Sequence, residues 1–244
     1  MGNLVSSVAF RPPQSSYDIN ISHLEFINRR DVIRTCHNEY KIPIRYYVKN
    51  ENLPMILICH GNAEDIGQAN PRTLSDEFNS NICLFDYAGY GLHSNKISSE
   101  YSCQEDVIAV YAHLITNKNL LPENIIIYGR SLGSGVATFL SDYLCKRSIA
   151  NKLILVSPLY SAANVITNLY VPGDIFKNYQ LAPNINSQIL ILHGNKDNVV
   201  PYICGVNLSL LFPNLYRFIT LDDCDHNNIA TSEYYNEIKN FIML

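Results

Sequence analysis

The chain has 244 residues, of which 47% are hydrophobic and 16% charged, a balance typical of a globular domain large enough to bury most of its surface. Its formal net charge of −4 argues against binding to nucleic acid, which needs clustered lysine and arginine. The seven cysteines are scattered without the spacing of metal ligands, so we expect reduced thiols, no metal and no other cofactor.

The N-terminal tail, taken as residues 1–20 ahead of a single domain over residues 21–244, begins Met1-Gly2-Asn3-Leu4-Val5-Ser6. This pattern matches N-myristoylation, which makes Gly2 a candidate lipidation site and the tail a candidate for peripheral membrane contact. No apolar run reaches the ~20 residues of a membrane span, and a secretory leader is not recognisable. We therefore expect a protein on the cytoplasmic side, soluble or peripherally membrane-associated and not secreted.

Continuous apolar runs alternate with helix-like segments, which predicts a mostly parallel, twisted sheet of about eight strands with helices on both faces. The five clearest runs are Met55–Cys59, Ile82–Phe85, Ile125–Tyr128, Leu153–Val156 and Ile189–Leu192. Upstream, Asp31–Cys36 and Ile42–Val48 flank the turn-like Asn38-Glu39 and predict an antiparallel pair. Arg217–Leu221 is the expected last strand.

Helices are predicted between these strands from apolar residues spaced three and four apart. They run from Ser98 or Ser99 to about Ile115, from Gly133 to about Leu144, over Pro201–Leu211 and over Thr231–Ile242. The stretch Pro158–Asn186 contains three prolines and fits neither pattern, so we expect it to form a small cap segment. Connections of this length usually carry function.

The pentapeptide Gly129-Arg130-Ser131-Leu132-Gly133 lies between a predicted strand and a predicted helix. Gly-x-Ser-x-Gly alone is a weak signal, but a strand–turn–helix setting is typical of a nucleophile elbow. The turn forces the serine into a strained conformation, and the following helix N-terminus offers amides to a developing oxyanion. Ser131 is therefore the candidate nucleophile. Phosphate binding, the alternative for such a turn, is not supported by a GxGxxG pattern or a Walker lysine.

A serine nucleophile needs a base and an acid, which in this fold follow it in the order serine, acid, histidine. His226 is the only histidine after the last predicted strand and is the candidate base, with His93 as the alternative. Asp197 follows the strand before that and is the candidate acid. Three rival carboxylates lie too near His226 in sequence to approach its far nitrogen easily: Asp222, Asp223 and Asp225.

An oxyanion hole also needs an amide from the loop after the third strand. That strand is followed by His60-Gly61-Asn62-Ala63, so the backbone amides of Asn62 and Leu132 are the candidate pair. We expect His60 to have a structural role.

From about Ala9 to the C-terminus, the chain resembles the protein-depalmitoylating serine hydrolases of the α/β-hydrolase-domain class. The matching motifs are Ala9-Phe10-x-Pro12-Pro13 with Tyr17, His60-Gly61-Asn62-Ala63-x-Asp65-x-Gly67-Gln68, Asp86-Tyr87-x-Gly89-Tyr90-Gly91, Gly129-x-Ser131-x-Gly133, Ser157-Pro158-Leu159, His193-Gly194-x-x-Asp197, and His226-Asn227 with Ile229. The resemblance implies the α/β-hydrolase fold, the triad Ser131, Asp197 and His226, and an acylated protein or lipid ester as substrate.

The chain departs from that family in two places. It lacks the N-terminal cluster of palmitoylated cysteines, for which Gly2 is a candidate substitute, and it has Asp223-Cys224-Asp225 where the family has small, glycine-rich residues. The expected activity is hydrolysis of an acyl ester or thioester through an acyl-enzyme. The alternatives are a serine peptidase or amidase, a lysophospholipase-like lipase and, from another class, a catalytically inactive binding protein.

Overall fold

The computed structural model describes residues 9–28, 40–93, 97–167 and 171–244. Its strands are β1 (Leu24–Asn28), β2 (Lys41–Tyr47), β3 (Met55–Cys59), β4 (Asn81–Phe85), β5 (Ile125–Arg130), β6 (Lys152–Val156), β7 (Gln188–Gly194) and β8 (Leu215–Leu221). They form one sheet in the order β1-β2-β4-β3-β5-β6-β7-β8. Strand β2 is antiparallel to both of its neighbours, and all other pairs are parallel.

The helices are α1 (Pro71–Phe78), α2 (Glu100–Thr116), α3 (Leu132–Cys145), α4 (Asn178–Leu181), α5 (Tyr202–Ser209) and α6 (Ser232–Ile242). The central strands are buried on both faces, so their successive side chains enter two separate cores. Leu57 and Ile127 pack with α2, α3 and α5, whereas Ile56 and Ile126 pack with α1 and α6. The predicted α/β sheet with helices on both faces is confirmed.

All five clearest apolar runs are strands, and the last strand begins two residues earlier than predicted. The predicted helices are also present, with small differences at their ends. For example, Ser99 caps α2 by accepting a hydrogen bond from the Ser102 amide. The predicted strand Ile42–Val48 corresponds to β2, and its antiparallel partner is β1. The other half of the predicted pair, Asp31–Cys36, lies outside the described residues.

Strand β1, helix α1 and the four-residue helix α4, which lies within the segment 158–186, were not predicted from the sequence. Strand β1 is an edge strand in which only Ile27 is buried, so its apolar pattern is weak. Helix α1 begins at Pro71 after Asn70, whose side chain accepts hydrogen bonds from two amides of the first turn. An asparagine N-cap followed by proline is a recognisable helix start and would have revealed this helix.

The described part of the N-terminal tail packs against the rest of the chain. Phe10 is buried against Phe176, the Ser16 amide donates to the Asp65 carboxylate at 2.7 Å, and the Tyr17 hydroxyl donates to the buried Asp86 carboxylate. Gly2 lies outside the described residues, and the division at residue 20 stays a prediction. Among the described residues, no helix has the length and apolar character needed to cross a membrane.

Candidate active site

Ser131 occupies the turn between β5 and α3 and has φ 52° and ψ −121°, a strained conformation for a residue other than glycine. Its amide donates to the Val156 carbonyl at 3.0 Å, which ties the turn to the neighbouring strand. Its carbonyl accepts hydrogen bonds from the amide and the hydroxyl of Ser134, at 2.9 and 2.6 Å. The predicted strained turn is therefore present and is held from both sides.

The two glycines of the pentapeptide are required by close packing. A β-carbon at Gly129 would lie 2.6 Å from the Ala137 β-carbon, and one at Gly133 would lie 2.1 Å from the Cys59 carbonyl oxygen. Helix α3 thus approaches the ends of β3 and β5 more closely than any side chain at these positions allows. Ser131 directly precedes Leu132, the first residue of this helix.

Asp197 and His226 lie in contact, although 29 residues separate them in sequence. The His226 Nδ1 atom is 2.8 Å from Asp197 Oδ2, and both side chains are almost completely buried. Because an ionised carboxylate accepts only, Nδ1 carries the proton and donates it in this bond. This leaves Nε2 as the nitrogen of the ring that can accept a proton.

The loops that carry these two residues are joined by backbone contacts. The Asn195 amide donates to the Leu221 carbonyl at 3.1 Å, and the Lys196 amide donates to the Cys224 carbonyl at 3.0 Å. A β-carbon at Gly194 would lie 2.3 Å from that same Cys224 oxygen, so only glycine permits this approach. The Asp197–His226 contact follows from this pairing of the loops after β7 and β8.

Asp197 is held as a carboxylate. Burial on its own would raise the pKa of Asp197, but hydrogen bonds with His193 and His226, the charge of His226 and the Val200 amide together lower that pKa well below its usual range. Oδ1 accepts from the amides of Val199 and Val200 at 2.9 and 2.8 Å. Oδ2 faces His226, and His193 Nε2 lies 3.4 Å away.

The rival residues have other contacts. Asp223 forms an ion pair with Lys196 at 2.6 Å, and Asp225 Oδ1 accepts from the amides of Asn227 and Asn228. His93, the alternative base, is buried with its ring 4.8 Å from that of Tyr40. His60, expected to be structural, has its ring against Tyr87, and its Nδ1 is 2.8 Å from the Gly61 carbonyl oxygen.

The Asn62 side chain connects the loop after β3 to the N-terminal segment. Its amide nitrogen donates to the Ala9 carbonyl at 2.7 Å, and its oxygen accepts from the Arg11 amide and the Tyr90 hydroxyl at 2.9 and 2.7 Å. Within the described residues, the Asn62 backbone amide has no acceptor in the protein. Leu132, as the first residue of α3, also has no acceptor within its helix. Both candidate oxyanion amides are thus available.

Ser131, Leu132 and Asn62 line one cavity of about 480 Å³, a size typical of small-molecule sites. The segment predicted to form a cap provides one apolar wall, and Val199 and Val200 provide another. The cap residues in this wall include Leu159, Ala162, Val165 and Ile166, and the N-terminal residues Ala9 and Arg11 also line the cavity. Among the described residues that line this cavity, Arg11 is the only charged one.

Three residues of the site were not assigned a role from the sequence: Arg130, Glu64 and His193. The Arg130 guanidinium pairs with Glu64 and donates to the His226 carbonyl at 2.8 Å. Burial lowers the pKa of Arg130, but an arginine guanidinium stays protonated at neutral pH. His193 belongs to the motif His193-Gly194-x-x-Asp197, but the sequence does not predict its contact with Asp197. That contact depends on how the loop after β7 folds back.

The sheet order, the elbow at the end of β5 and the paired loops after β7 and β8 define a protein with the α/β-hydrolase fold. Solved structures agree. The chain is similar to Est1E from Butyrivibrio proteoclasticus, solved with ferulic acid bound, with a TM-score of 0.70, 17% sequence identity and coverage of 90% of this chain and 98% of that one. At 17% sequence identity, this similarity establishes the fold alone.

Residues 50–187 match the family model described as "Serine aminopeptidase, S33", and the chain belongs to that family of hydrolases. It is 33% identical over 194 residues to the alpha/beta hydrolase domain-containing protein 17C of Xenopus tropicalis, covering 77% of this chain and 61% of the relative. With the human protein 17B it shares 33% identity over 193 residues, which cover 77% and 65%. The matched region is thus somewhat under two thirds of these relatives' length, and the resemblance predicted from the motifs is confirmed at the level of the family.

Proposed function

We propose that this hydrolase cleaves acyl esters or thioesters with Ser131 as nucleophile, His226 as base and Asp197 as the acid that orients it. The observation that carries the proposal is the apolar cavity in front of a strained serine, with a buried Asp–His pair on the adjoining loops. A Ser-His-Asp set is recognised by such geometry and roles rather than by sequence position.

In the proposed reaction, Ser131 Oγ attacks the acyl carbon and its proton passes to His226 Nε2. The Asp197 carboxylate stabilises the imidazolium that forms, because its own pKa is lowered and it stays ionised. Collapse of the tetrahedral intermediate breaks the carbonyl–oxygen or carbonyl–sulfur bond, and the leaving group takes the proton from His226. Water then attacks the acyl-enzyme with His226 again as base, which releases the carboxylic acid and restores Ser131.

The amides of Asn62 and Leu132 are the proposed oxyanion hole. Neither amide donates a hydrogen bond to another group within the described residues, and donors that are fixed in position before the reaction cost no rearrangement during it. Fixing the Asn62 side chain through Ala9, Arg11 and Tyr90 orients its backbone, which supports this assignment.

The cavity favours an acyl group over an amino acid. An aminopeptidase must bind the positively charged α-ammonium of its substrate, for which a carboxylate is the matching partner. The family description names that activity, yet the charged side chain among the described lining residues is a cation, Arg11. Apolar walls gain about 25 cal/mol per Å² of buried apolar surface, which favours a fatty acyl chain. Aminoacyl-amide hydrolysis is therefore the second candidate.

Because the chain resembles protein-depalmitoylating hydrolases, acylated protein cysteines or lipid esters are the proposed substrates. Peripheral membrane contact through the N-terminus, with lipidation at Gly2 and action on the cytoplasmic side, is part of the proposal. Ala9 and Arg11, near the start of the described chain, line the cavity, and Ile166, another lining residue, has 77% of its surface exposed. A membrane-attached N-terminus would therefore hold the cavity near acyl chains at the bilayer surface.

Labelling with a fluorophosphonate probe, which reacts covalently with activated serines, tests the nucleophile. We expect the wild type to be labelled and Ser131→Ala to remain unlabelled while keeping the wild-type melting temperature. A panel of acyl-thioesters, p-nitrophenyl esters, lysophospholipids and aminoacyl-amides then separates the candidate activities. Folded wild type that is not labelled, or unchanged biological function in Ser131→Ala, would favour an inactive binding protein.

A further inference from the structure

One partly buried ion pair lies among the three loops of the proposed active site. Arg130 is the last residue of β5 and directly precedes Ser131, whereas Glu64 belongs to the loop after β3. Their side chains retain only 20% and 31% of their exposure and form a salt bridge. Partly buried pairs are screened less by solvent than surface pairs.

Each member of the pair also binds a backbone group of a neighbouring loop. Arg130 Nη2 donates to the His226 carbonyl at 2.8 Å and has a longer contact of 3.4 Å with Asn227 Oδ1. Glu64 Oε2 accepts from the Gly61 amide at 3.2 Å. Gly61 directly precedes Asn62, whose amide is a candidate oxyanion donor. The pair thus joins the loops of the nucleophile, the base and the oxyanion hole.

The glycine at position 61 fits this arrangement. A β-carbon there would lie 3.0 Å from Glu64 Oε1 and 3.3 Å from Arg130 Nη1, so a side chain would crowd both members of the pair. The ion pair is packed directly against the backbone that leads to Asn62. A displacement of this backbone therefore moves the oxyanion donor together with the ion pair.

We propose that Arg130 is a positioning residue, which acts with Glu64 to hold the His226 carbonyl and the Asn62 amide in register with Ser131. This inference rests on the proposed function. The arginine itself touches no reacting atom, since its donors bind Glu64 and the loop after β8. Its planar guanidinium can bind a carboxylate and a carbonyl at the same time, which the single ammonium of lysine does poorly.

The test measures kcat and KM for a p-nitrophenyl ester and the rate of fluorophosphonate labelling in the full chain. For Arg130→Ala we expect kcat and the labelling rate to fall about 10- to 100-fold, as for other small displacements of catalytic groups, with KM nearly unchanged. Arg130→Lys is expected to recover part of the loss. Guanidinium chloride at millimolar concentration should raise the labelling rate of Arg130→Ala, whereas urea at the same concentration should not.

Arg217→Ala is the matched control. Arg217 forms an ion pair of 2.8 Å with Glu237 between β8 and α6, and its side chain is 50% exposed, so its loss should leave kcat and labelling unchanged. If Arg130→Ala is folded and is labelled at the wild-type rate, the inference is wrong while the proposed function stands. Equal recovery with urea and guanidinium would also overturn it. Wild type that is not labelled would overturn the proposed function and the inference together.

Discussion

Replacing Asp197 with asparagine is expected to disable the proposed triad while keeping a side chain of the same size and shape at this position. Each carboxylate oxygen faces donors: Oδ1 accepts two backbone amides, and Oδ2 faces His226 Nδ1 at 2.8 Å and His193 Nε2 at 3.4 Å. Asparagine can keep its oxygen on the two amides. Its amide nitrogen then faces the imidazoles, and an N–H group cannot accept the proton that His226 Nδ1 donates.

The histidine is therefore expected to move its proton to Nε2, so that Nδ1 accepts from the asparagine amide. In that tautomer Nε2 cannot take the Ser131 proton. The same change in serine proteases lowers kcat about 10⁴-fold. We expect a loss of about 10³- to 10⁴-fold in kcat, or roughly 4 to 5.5 kcal/mol at about 1.36 kcal/mol per decade, with little change in KM.

Steady-state hydrolysis of a p-nitrophenyl ester gives kcat and KM, and fluorophosphonate labelling reports the nucleophile independently of substrate choice. Asp225→Asn is the matched control. Asp225 lies beside His226, but its Oδ1 accepts hydrogen bonds from two backbone amides, and the side-chain oxygen of asparagine can accept the same two bonds. We expect this control to behave as wild type. Activity of Asp197→Asn within tenfold of wild type, or an equal loss in Asp225→Asn, would refute the assignment of Asp197.

Three further outcomes are expected. Gly133→Ala should lower the free energy of unfolding in urea by more than about 2 kcal/mol, because its β-carbon would overlap a backbone carbonyl that cannot give way; a smaller loss would contradict the packing of α3. Tyr17→Phe should destabilise by about 1–3 kcal/mol in thermal melts, since the buried Asp86 carboxylate loses a donor, and an unchanged melt would contradict that contact. Because the folded-state pKa of Asp197 lies well below its unfolded value of about 3.9, its stabilisation is fully present above that pH and is lost progressively as the pH falls from there toward the folded-state pKa. The stability difference between wild type and Asp197→Asn should therefore shrink as the pH falls below about 4, and a difference that persists there would count against the lowered pKa.

The sheet was largely predictable because its central strands are buried on both faces. A strand such as Met55–Cys59 must then be continuously apolar, and such runs are visible in a single sequence. The edge strand β1 lacks this property, since Phe26 is 43% exposed and Ile27 alone is buried, and it was not predicted. Burial on both faces, rather than strand propensity, made the difference.

The candidate residues were predictable where chain order limits the choice. Few acids and histidines follow the last strands of the sheet, so Asp197 and His226 could be selected without knowing their distance. Their contact depends on the pairing of two loops, in which Gly194 allows the Cys224 carbonyl to approach. The sequence contains that glycine but does not indicate which backbone group it accommodates.

The pentapeptide around Ser131 includes a residue, Arg130, whose contacts the Gly-x-Ser-x-Gly pattern does not predict. The glycines of the pattern are required by local sterics, whereas the two x positions on either side of the serine can hold any residue. Arg130 occupies one of these free positions, yet its guanidinium reaches loops that lie 66 and 96 residues away in sequence. The role proposed for Arg130 therefore depends on the positions of Glu64 and His226 and not on the conformation of the turn. In this short segment, local sterics determine the strained conformation of Ser131, whereas the contacts of Arg130 with Glu64 and the His226 carbonyl form only in the assembled fold. The activity of Ser131 is expected to depend on both.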